Sequence, residues 1–145
     1  FAGKIAAYAQ GFAVLEAAAK EFSWDLPMAT IARIWRAGCI IRSQFLDTIA
    51  SAFEQNKGLG NLLLAPDFVS MMQGATPALR HIVARGAQEG LPLPALSSAL
   101  AYFDSYRQAR GTANLIQAQR DFFGAHGFKR LDAEGDFHGP WGSGS

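Results

Sequence analysis

The sequence predicts an all-α protein, an irregular bundle of about six or seven helices followed by an extended C-terminal tail. Three observations support this fold class. Apolar residues recur at spacings of three and four through most of the chain, as they do on one face of a helix. No segment alternates apolar and polar residues as a half-buried strand would. Glycine and proline fall between the helical patterns and divide them into segments of ordinary helix length.

The first part of the chain is predicted to contain three helices. Residues 2–22 form the first, rich in alanine, and Gly11 within it indicates the close approach of another helix. Pro27 suits the first turn of a second helix that ends at a joint at Gly38. Residues 39–55 then carry the apolar spacing of a third helix.

A loop, a short apolar segment and a proline-containing helix are predicted next. Residues 56–61 have loop composition, and Leu62–Leu64 is a short apolar plug. Pro66 opens a helix in which Pro77 would remove a backbone hydrogen bond and clash with the preceding turn. This helix either kinks or restarts with Thr76 as its cap, and we favour the restart.

The last third is predicted to contain two helices and the tail. A rigid connector at 90–94 precedes a helix over residues 95–110. Thr112 can cap the final helix, and Gly124 is suited to end it in a left-handed conformation. The irregular tail covers residues 128–145, and its aromatic residues predict packing against a surface of this chain or of another subunit.

Composition restricts the class of function. The 145 residues suit one domain, and only 17% are charged, which predicts burial against a second subunit or against chain that is missing. The net charge of +1 gives no case for nucleic acid or an anionic membrane, and no apolar run reaches the roughly 18 residues that span a bilayer. The lone Cys39 fits a reducing compartment, so a cytoplasmic protein is expected. The chain starts in a helical pattern without Met or a signal segment, as if cut from something longer.

Arg120 and His126 are the candidate binding residues. On an uninterrupted helix they would point about 120° apart, but a helix end at Gly124 lets the turn bring His126 back toward Arg120. A guanidinium beside an imidazole suits phosphate or carboxylate. By spacing alone, an exposed arginine and a solvated histidine remain the alternative.

Other polar or sulfur-containing residues give weaker signals. Arg36 and Arg42 flank the Gly38 joint and could hold an anion, although helix-end carbonyls and nearby acids are commoner partners. Met71 and Met72 indicate core packing rather than a metal site. The serines around the fifth predicted helix lack a paired base and a strand–turn–helix elbow, so a hydrolytic triad is rejected.

Five stretches of the sequence carry a family resemblance. They are YAQGF (8–12), IWRAGCIIRS (34–43), NLLL (61–64), SSALAYFDSYR (97–107) and ANLIQAQRDFFGAH (113–126). In this order they resemble successive motifs of 6-phosphogluconate dehydrogenase, the decarboxylating enzyme of the pentose phosphate pathway. That family places a Rossmann domain before a large helical domain and a tail, and this sequence resembles the later helical part and the tail.

The resemblance implies a function for each part of the chain. Residues 1–127 would belong to the helical domain for dimerisation and substrate binding, and residues 128–145 to a tail that passes over the neighbouring subunit. In the implied homodimer, Arg120 and His126 reach the partner's active site and bind 6-phosphogluconate, chiefly at its phosphate. Loss of the arginine fork is expected to weaken binding by roughly 2 to 4 kcal/mol.

The resemblance also implies a reaction: oxidation of 6-phosphogluconate by NADP, then decarboxylation to ribulose 5-phosphate. The family's glycine-rich nucleotide fingerprint, catalytic lysine and proton-donating acid have no counterpart here, so no catalytic residue is predicted and these 145 residues alone are expected to be inactive. The preference for NADP over NAD stays open. The alternative is a non-catalytic helical association module. Two departures from the family pattern are Pro77 and the residues that precede Trp141 in the tail.

Overall fold

The computed structural model describes residues 1–38 and 45–142, and the regular structure in these ranges is helical. The elements are α1 (Ala2–Glu21), α2 (Met28–Gly38), α3 (Phe45–Gln55), a 3₁₀ turn (Leu62–Leu64), α4 (Pro66–Gln88), α5 (Pro94–Tyr106) and α6 (Ala113–Gly124). The all-α prediction is confirmed. The chain divides into two compact units, Phe1–Asp104 and Ser105–Ser145. Within the described ranges, no helix is both long and apolar enough to cross a bilayer.

The core of the first unit forms where α1 packs against the 3₁₀ turn and α4, and where α2 packs against α3. Rings meet at its centre, because the centroid of Phe12 lies 5.3 Å from that of Trp35 and 5.2 Å from that of Phe53. The largest fully buried apolar side chains are Phe12, Phe68, Ile5, Leu46, Ile49 and Leu62. Apolar burial of this kind is the main stabilising contribution to a helical unit.

Close approach to α1 occurs at Gly3 rather than at Gly11. A Cβ on Gly3 would lie 2.9 Å from the side chain of Leu96 on α5. Gly11 is exposed, and in the part of the chain that the structure describes no atom beyond its chain neighbours and the backbone of its own helix turn lies within 4 Å of the position of its Cβ. The expected helix contact at Gly11 is therefore not present within the described chain.

Ion pairs join α2 to α3. Arg36 Nε lies 2.7 Å from Asp47 Oδ2, and Arg33 pairs with Glu54. Arg36 therefore has an acidic partner, the commoner of its two predicted roles. The helix predicted over residues 39–55 is observed from Phe45 onward. Residues 39–44, which include Arg42 and Cys39, lie outside the described residues.

The prediction that the helix restarts at Pro77 is wrong, because α4 runs without interruption from Pro66 to Gln88. Pro77 and Gln73 are both exposed, so water can replace the donor that the Gln73 carbonyl loses. Thr76 is buried, and its hydroxyl donates to the Met72 carbonyl at 2.6 Å instead of capping a new helix. The buried face of α4 continues across the proline and consists of Phe68, Met72, Thr76, Leu79 and Gly86.

The connector between α4 and α5 begins at Gly90, which has a φ of +68°. The Leu91 N–H donates to the Gly86 carbonyl at 2.8 Å, a bond that closes the end of α4. α5 ends at Tyr106, four residues before the predicted end at Arg110, and the Gln108 N–H turns back to the Ser105 carbonyl.

Polar contacts hold α5 to the rest of the first unit. The buried Asn61 amide donates to the Tyr102 hydroxyl at 2.7 Å and accepts from the Leu63 N–H at 2.9 Å. Arg80 on α4 forms a two-point ion pair with Asp104, with one contact of 2.7 Å. The buried Asn61 amide therefore has its hydrogen-bond partners, and the bidentate ion pair between Arg80 and Asp104 adds a second contact that stabilises the position of α5.

Candidate functional site

The candidate site lies at the C-terminal end of α6, in the second unit. α6 follows Thr112, whose side chain makes no capping hydrogen bond, and ends at Gly124. The left-handed residue is Ala125, with a φ of 50° and a ψ of 39°, and its N–H donates to the Asp121 carbonyl at 2.8 Å. The expected helix end at Gly124 is therefore confirmed, but the left-handed conformation belongs to the next residue.

Gly124 has a different physical role, which is to leave room for His126. A Cβ on Gly124 would lie 2.8 Å from Nε2 and 2.9 Å from Cδ2 of the His126 imidazole. Real Cβ atoms do not approach other atoms this closely, so the ring rests against the glycine backbone. The absence of a side chain at Gly124 thus permits the observed position of the imidazole.

Both predicted binding residues are exposed and line one shallow depression of about 400 Å³. The turn after Gly124 therefore returns His126 to the surface that carries Arg120. The remaining lining residues are Ile116, Gln119, Phe123 and Gly124. His126 also lines a larger cavity of about 1040 Å³ between α6 and the tail. The depression is open to solvent and presents a guanidinium and an imidazole together.

Gln117 connects Arg120 to the turn that carries His126. Arg120 Nη1 donates to Gln117 Oε1 at 3.2 Å, and Gln117 Nε2 donates to the Gly127 carbonyl at 2.5 Å. Among the described residues, the acceptor of the Arg120 guanidinium is this neutral amide and not a carboxylate. The positive charge of Arg120 is therefore available to an anionic ligand.

Asp121 is the buried centre of the second unit, with 2% of its surface exposed. Its Oδ1 accepts from the Gly127 N–H and contacts His138 Nδ1, both at 2.7 Å. Its Oδ2 accepts from the Gly139 N–H at 2.7 Å and from Trp141 Nε1 at 2.6 Å. Because a charged carboxylate can only accept, Nδ1 of His138 carries the proton in this contact.

These donors hold the pKa of Asp121 well below its usual range. The Gly139 N–H is the largest cause, and Trp141, His138 and the Gly127 N–H lower the pKa further. Burial alone would raise the pKa, but it is outweighed by the hydrogen bonds. The carboxylate is therefore charged at neutral pH, and its four contacts with donors balance that charge.

The tail folds back on itself and on α6. Phe128 and Phe137 form an antiparallel bridge, with N···O distances of 2.8 and 3.0 Å. Lys129 Nζ lies 2.6 Å from Asp136 Oδ1 across the same hairpin-like turn. The Trp141 ring meets Phe122 of α6 edge to face, with centroids 5.8 Å apart. Trp141 therefore packs against the last turns of α6, as predicted for a tail aromatic, whereas Phe137 stacks on Phe128 of the tail itself with centroids 6.5 Å apart.

The sequence reasoning named Arg120 and His126 but missed Gln117 and Asp121. A local signal for them exists, since residues four apart lie on the same face of a helix. A second signal is the tail, whose Trp141 indole needs an acceptor wherever it packs. Neither signal indicates that the acceptor is Asp121, because that pairing spans 20 residues.

Comparison with known proteins identifies the domain. A family model described as "6-phosphogluconate dehydrogenase, C-terminal domain" matches residues 1–141. Decarboxylating 6-phosphogluconate dehydrogenases from Klebsiella pneumoniae and Escherichia coli K12 are 56% and 55% identical over 141 residues, which cover 97% of this chain and 30% of each relative. The enzyme of that name from Lactococcus lactis is 53% identical over 138 residues, 95% of this chain and 29% of the relative.

A solved structure has the same fold. It is the Plasmodium falciparum 6-phosphogluconate dehydrogenase, described in its apo form and in complexes with its cofactor NADP⁺ and its substrate 6-phosphogluconate. The TM-score is 0.88 at 43% sequence identity, and the match covers 97% of this chain and 30% of that chain. The chain thus spans about 30% of the length of the relatives that it matches.

Proposed function

Because this chain belongs to the family of 6-phosphogluconate dehydrogenase C-terminal domains, we propose that it is the C-terminal part of a decarboxylating 6-phosphogluconate dehydrogenase. The proposed reaction of the complete enzyme oxidises 6-phosphogluconate with NADP and releases carbon dioxide to give ribulose 5-phosphate. High identity along nearly the whole chain to several enzymes of this name supports the assignment.

Arg120 and His126 bind the phosphate of 6-phosphogluconate in this proposal. The observation that carries it is their common position on one open depression, where the guanidinium is not paired with a carboxylate of the described chain. The planar donor fork of arginine matches two phosphate oxygens, and the imidazole can donate to a third. The role of this part of the chain is therefore substrate binding rather than proton or hydride transfer.

In this proposal the enzyme is a homodimer, and the phosphate that Arg120 and His126 bind lies in the partner subunit's active site. Support comes from the apolar side chains that surround the two basic residues. Phe123 and Ile116 line the same depression and are 82% and 57% exposed, although large apolar side chains in such a group are normally covered in an assembly. Insertion of the end of α6 into a second copy would cover them and deliver Arg120 and His126 to its substrate.

NADP does not fit the residues of this chain on their own. A dinucleotide site of the Rossmann type combines a strand, a glycine-rich turn and a helix that presents its N-terminus to the pyrophosphate. Within residues 1–38 and 45–142 the regular structure is helical apart from one bridge between Phe128 and Phe137. The cofactor site of the proposed enzyme is therefore assigned to parts outside this chain.

Substitution of Arg120 in the full-length enzyme tests the proposal. Arg120→Ala should raise KM for 6-phosphogluconate by roughly 30- to 900-fold, the equivalent of about 2 to 4 kcal/mol for charged hydrogen bonds lost to a desolvated phosphate. Arg120→Lys keeps the charge but loses the fork, so its effect should be intermediate.

The matched control is Arg85→Ala, which removes an exposed helical arginine whose contact is with Glu89 one turn away. Its KM for 6-phosphogluconate should stay within twofold of the parent value, because an exposed pair of this kind contributes little. An unchanged KM in Arg120→Ala would contradict the binding role of Arg120.

A further inference from the structure

Gly127, the residue after His126, is held from two sides by side chains of α6. Its N–H donates to Asp121 Oδ1 at 2.7 Å, and its carbonyl accepts from Gln117 Nε2 at 2.5 Å. Gly127 is buried and has a φ of +69°, a conformation that residues with side chains rarely adopt. Because both of its polar groups are bound to one helix, the turn that carries His126 is fixed relative to α6.

Gln117 also contacts the other basic residue. Its Oε1 accepts from Arg120 Nη1 at 3.2 Å, while its Nε2 holds the Gly127 carbonyl. One amide therefore joins the guanidinium to the residue that follows His126. Gln117, Arg120 and Asp121 are spaced three and four residues apart, so they share one face of α6.

We propose that Gln117 and Asp121 are positioning residues that set the arrangement of Arg120 and His126 for substrate phosphate. The inference rests on the proposed function, since it assigns the residues that prepare the same site. Neither side chain touches the substrate. They act by ordering two exposed side chains before binding, which reduces the conformational entropy lost when phosphate is bound.

A double-mutant analysis in the full-length enzyme tests Gln117. Gln117→Ala removes the hydrogen bond that Arg120 donates and the neutral hydrogen bond to the Gly127 carbonyl, both near the protein surface, so KM for 6-phosphogluconate should rise about fivefold. The kcat and the KM for NADP should stay within about twofold, because the substitution alters phosphate binding alone. In an Arg120→Ala/His126→Ala background, Gln117→Ala should change KM by less than about twofold, because there is nothing left to position.

The exposed helical glutamine Gln73 provides the control. Gln73→Ala should leave KM and kcat unchanged in both backgrounds. A Gln117→Ala effect that is as large without Arg120 and His126 as with them would overturn the positioning role. If Arg120→Ala raises KM but Gln117→Ala does not, this inference fails alone. If Arg120→Ala leaves KM unchanged, the proposed phosphate-binding function of Arg120 fails.

Asp121 is tested by Asp121→Asn, which keeps the shape but replaces one of the two oxygens, each of which meets two donor groups, by an NH2 that cannot accept. KM for 6-phosphogluconate should rise more than in Gln117→Ala, with kcat at saturating substrate largely retained. A folded Asp121→Asn enzyme with the parent KM would contradict the role of Asp121. If this variant does not fold, the double-mutant analysis of Gln117 decides the inference, because Gln117 is hydrogen-bonded to the same Gly127.

Discussion

At the scale of single residues, Gly124 determines where the His126 imidazole can lie. Gly124→Ala adds a Cβ only 2.8 Å from the present position of Nε2, so the exposed ring must move away. KM for 6-phosphogluconate should rise about three- to tenfold, while stability should be kept or gain up to about 0.5 kcal/mol, because alanine favours the helix. Steady-state kinetics and thermal unfolding of the full-length variant measure the two effects separately.

Gly74→Ala is the matched control for this change. Gly74 lies within α4, and apart from its chain neighbours and the backbone of its own helix turn no atom of the described chain lies within 4 Å of the position of its Cβ. Its replacement should stabilise the helix by up to about 1 kcal/mol without any change in KM. A Gly124→Ala enzyme with the parent KM would show that the ring position does not matter for binding.

The buried carboxylate of Asp121 makes the stability of the second unit depend on pH. Its pKa in the folded chain is lowered, chiefly by the Gly139 N–H, so the unfolded chain binds more protons at acidic pH. The contribution of Asp121 is therefore fully present above about pH 4, the ordinary pKa of an aspartate, and is lost as pH falls toward the folded pKa.

Asp121→Asn should accordingly unfold several degrees below the parent at pH 7. The difference between the two melting temperatures should narrow as pH is lowered from about 4 to 2.5, because protonation removes the same interactions from the parent protein. Thermal unfolding of both proteins across this range measures the difference. A gap that stays constant between pH 7 and pH 2.5 would show that the charge of Asp121 contributes nothing.

At the scale of helices, the sequence predicts most elements and some of their ends. Apolar residues at spacings of three and four predict α1, and the end signals of proline, threonine and glycine predict where α2 and α6 lie. Pro77 is where local reasoning fails. The buried side chains of α4 continue in register on both sides of the proline, so packing overrides the local cost of one missing hydrogen bond.

The candidate site divides in the same way between local and distant information. Arg120 and His126 can be selected as candidates from the helix end at Gly124 and from the family motif at 113–126, because each of these signals lies within a short segment of the sequence. The contacts of Asp121 with His138, Gly139 and Trp141 span 17 to 20 residues and depend on how the tail folds back. No spacing rule for helices predicts these contacts, because the contacts join a helix to a tail that has no repeating sequence pattern.

At the scale of the whole molecule, the two units are stabilised differently. The first has a continuous apolar core. In residues 105–142 of the second, the buried residues are Asp121 and Gly127, while Phe123 and Leu131 are 82% and 76% exposed. So short a unit with so little apolar burial is not expected to be stable alone. The small number of buried residues and the large exposed apolar side chains support the proposal that a second subunit covers those side chains.

Mixed dimers test whether Arg120 and His126 act on the partner's substrate. One full-length subunit carries Arg120→Ala and His126→Ala, and the other is inactivated in its own cofactor-binding domain. At a concentration of 6-phosphogluconate near the parent KM, the homodimer without Arg120 and His126 should show only a small fraction of the parent activity, because its KM is raised, and the homodimer without a working cofactor-binding domain should show none. If the pair acts in trans, a mixed dimer purified through two different tags contains one site with an intact cofactor domain and intact basic residues, so it should recover about half of the parent activity. If the pair acts within its own subunit, every site in the mixed dimer lacks either the basic residues or a working cofactor domain. The absence of recovered activity would then refute the proposal that Arg120 and His126 bind the partner's substrate.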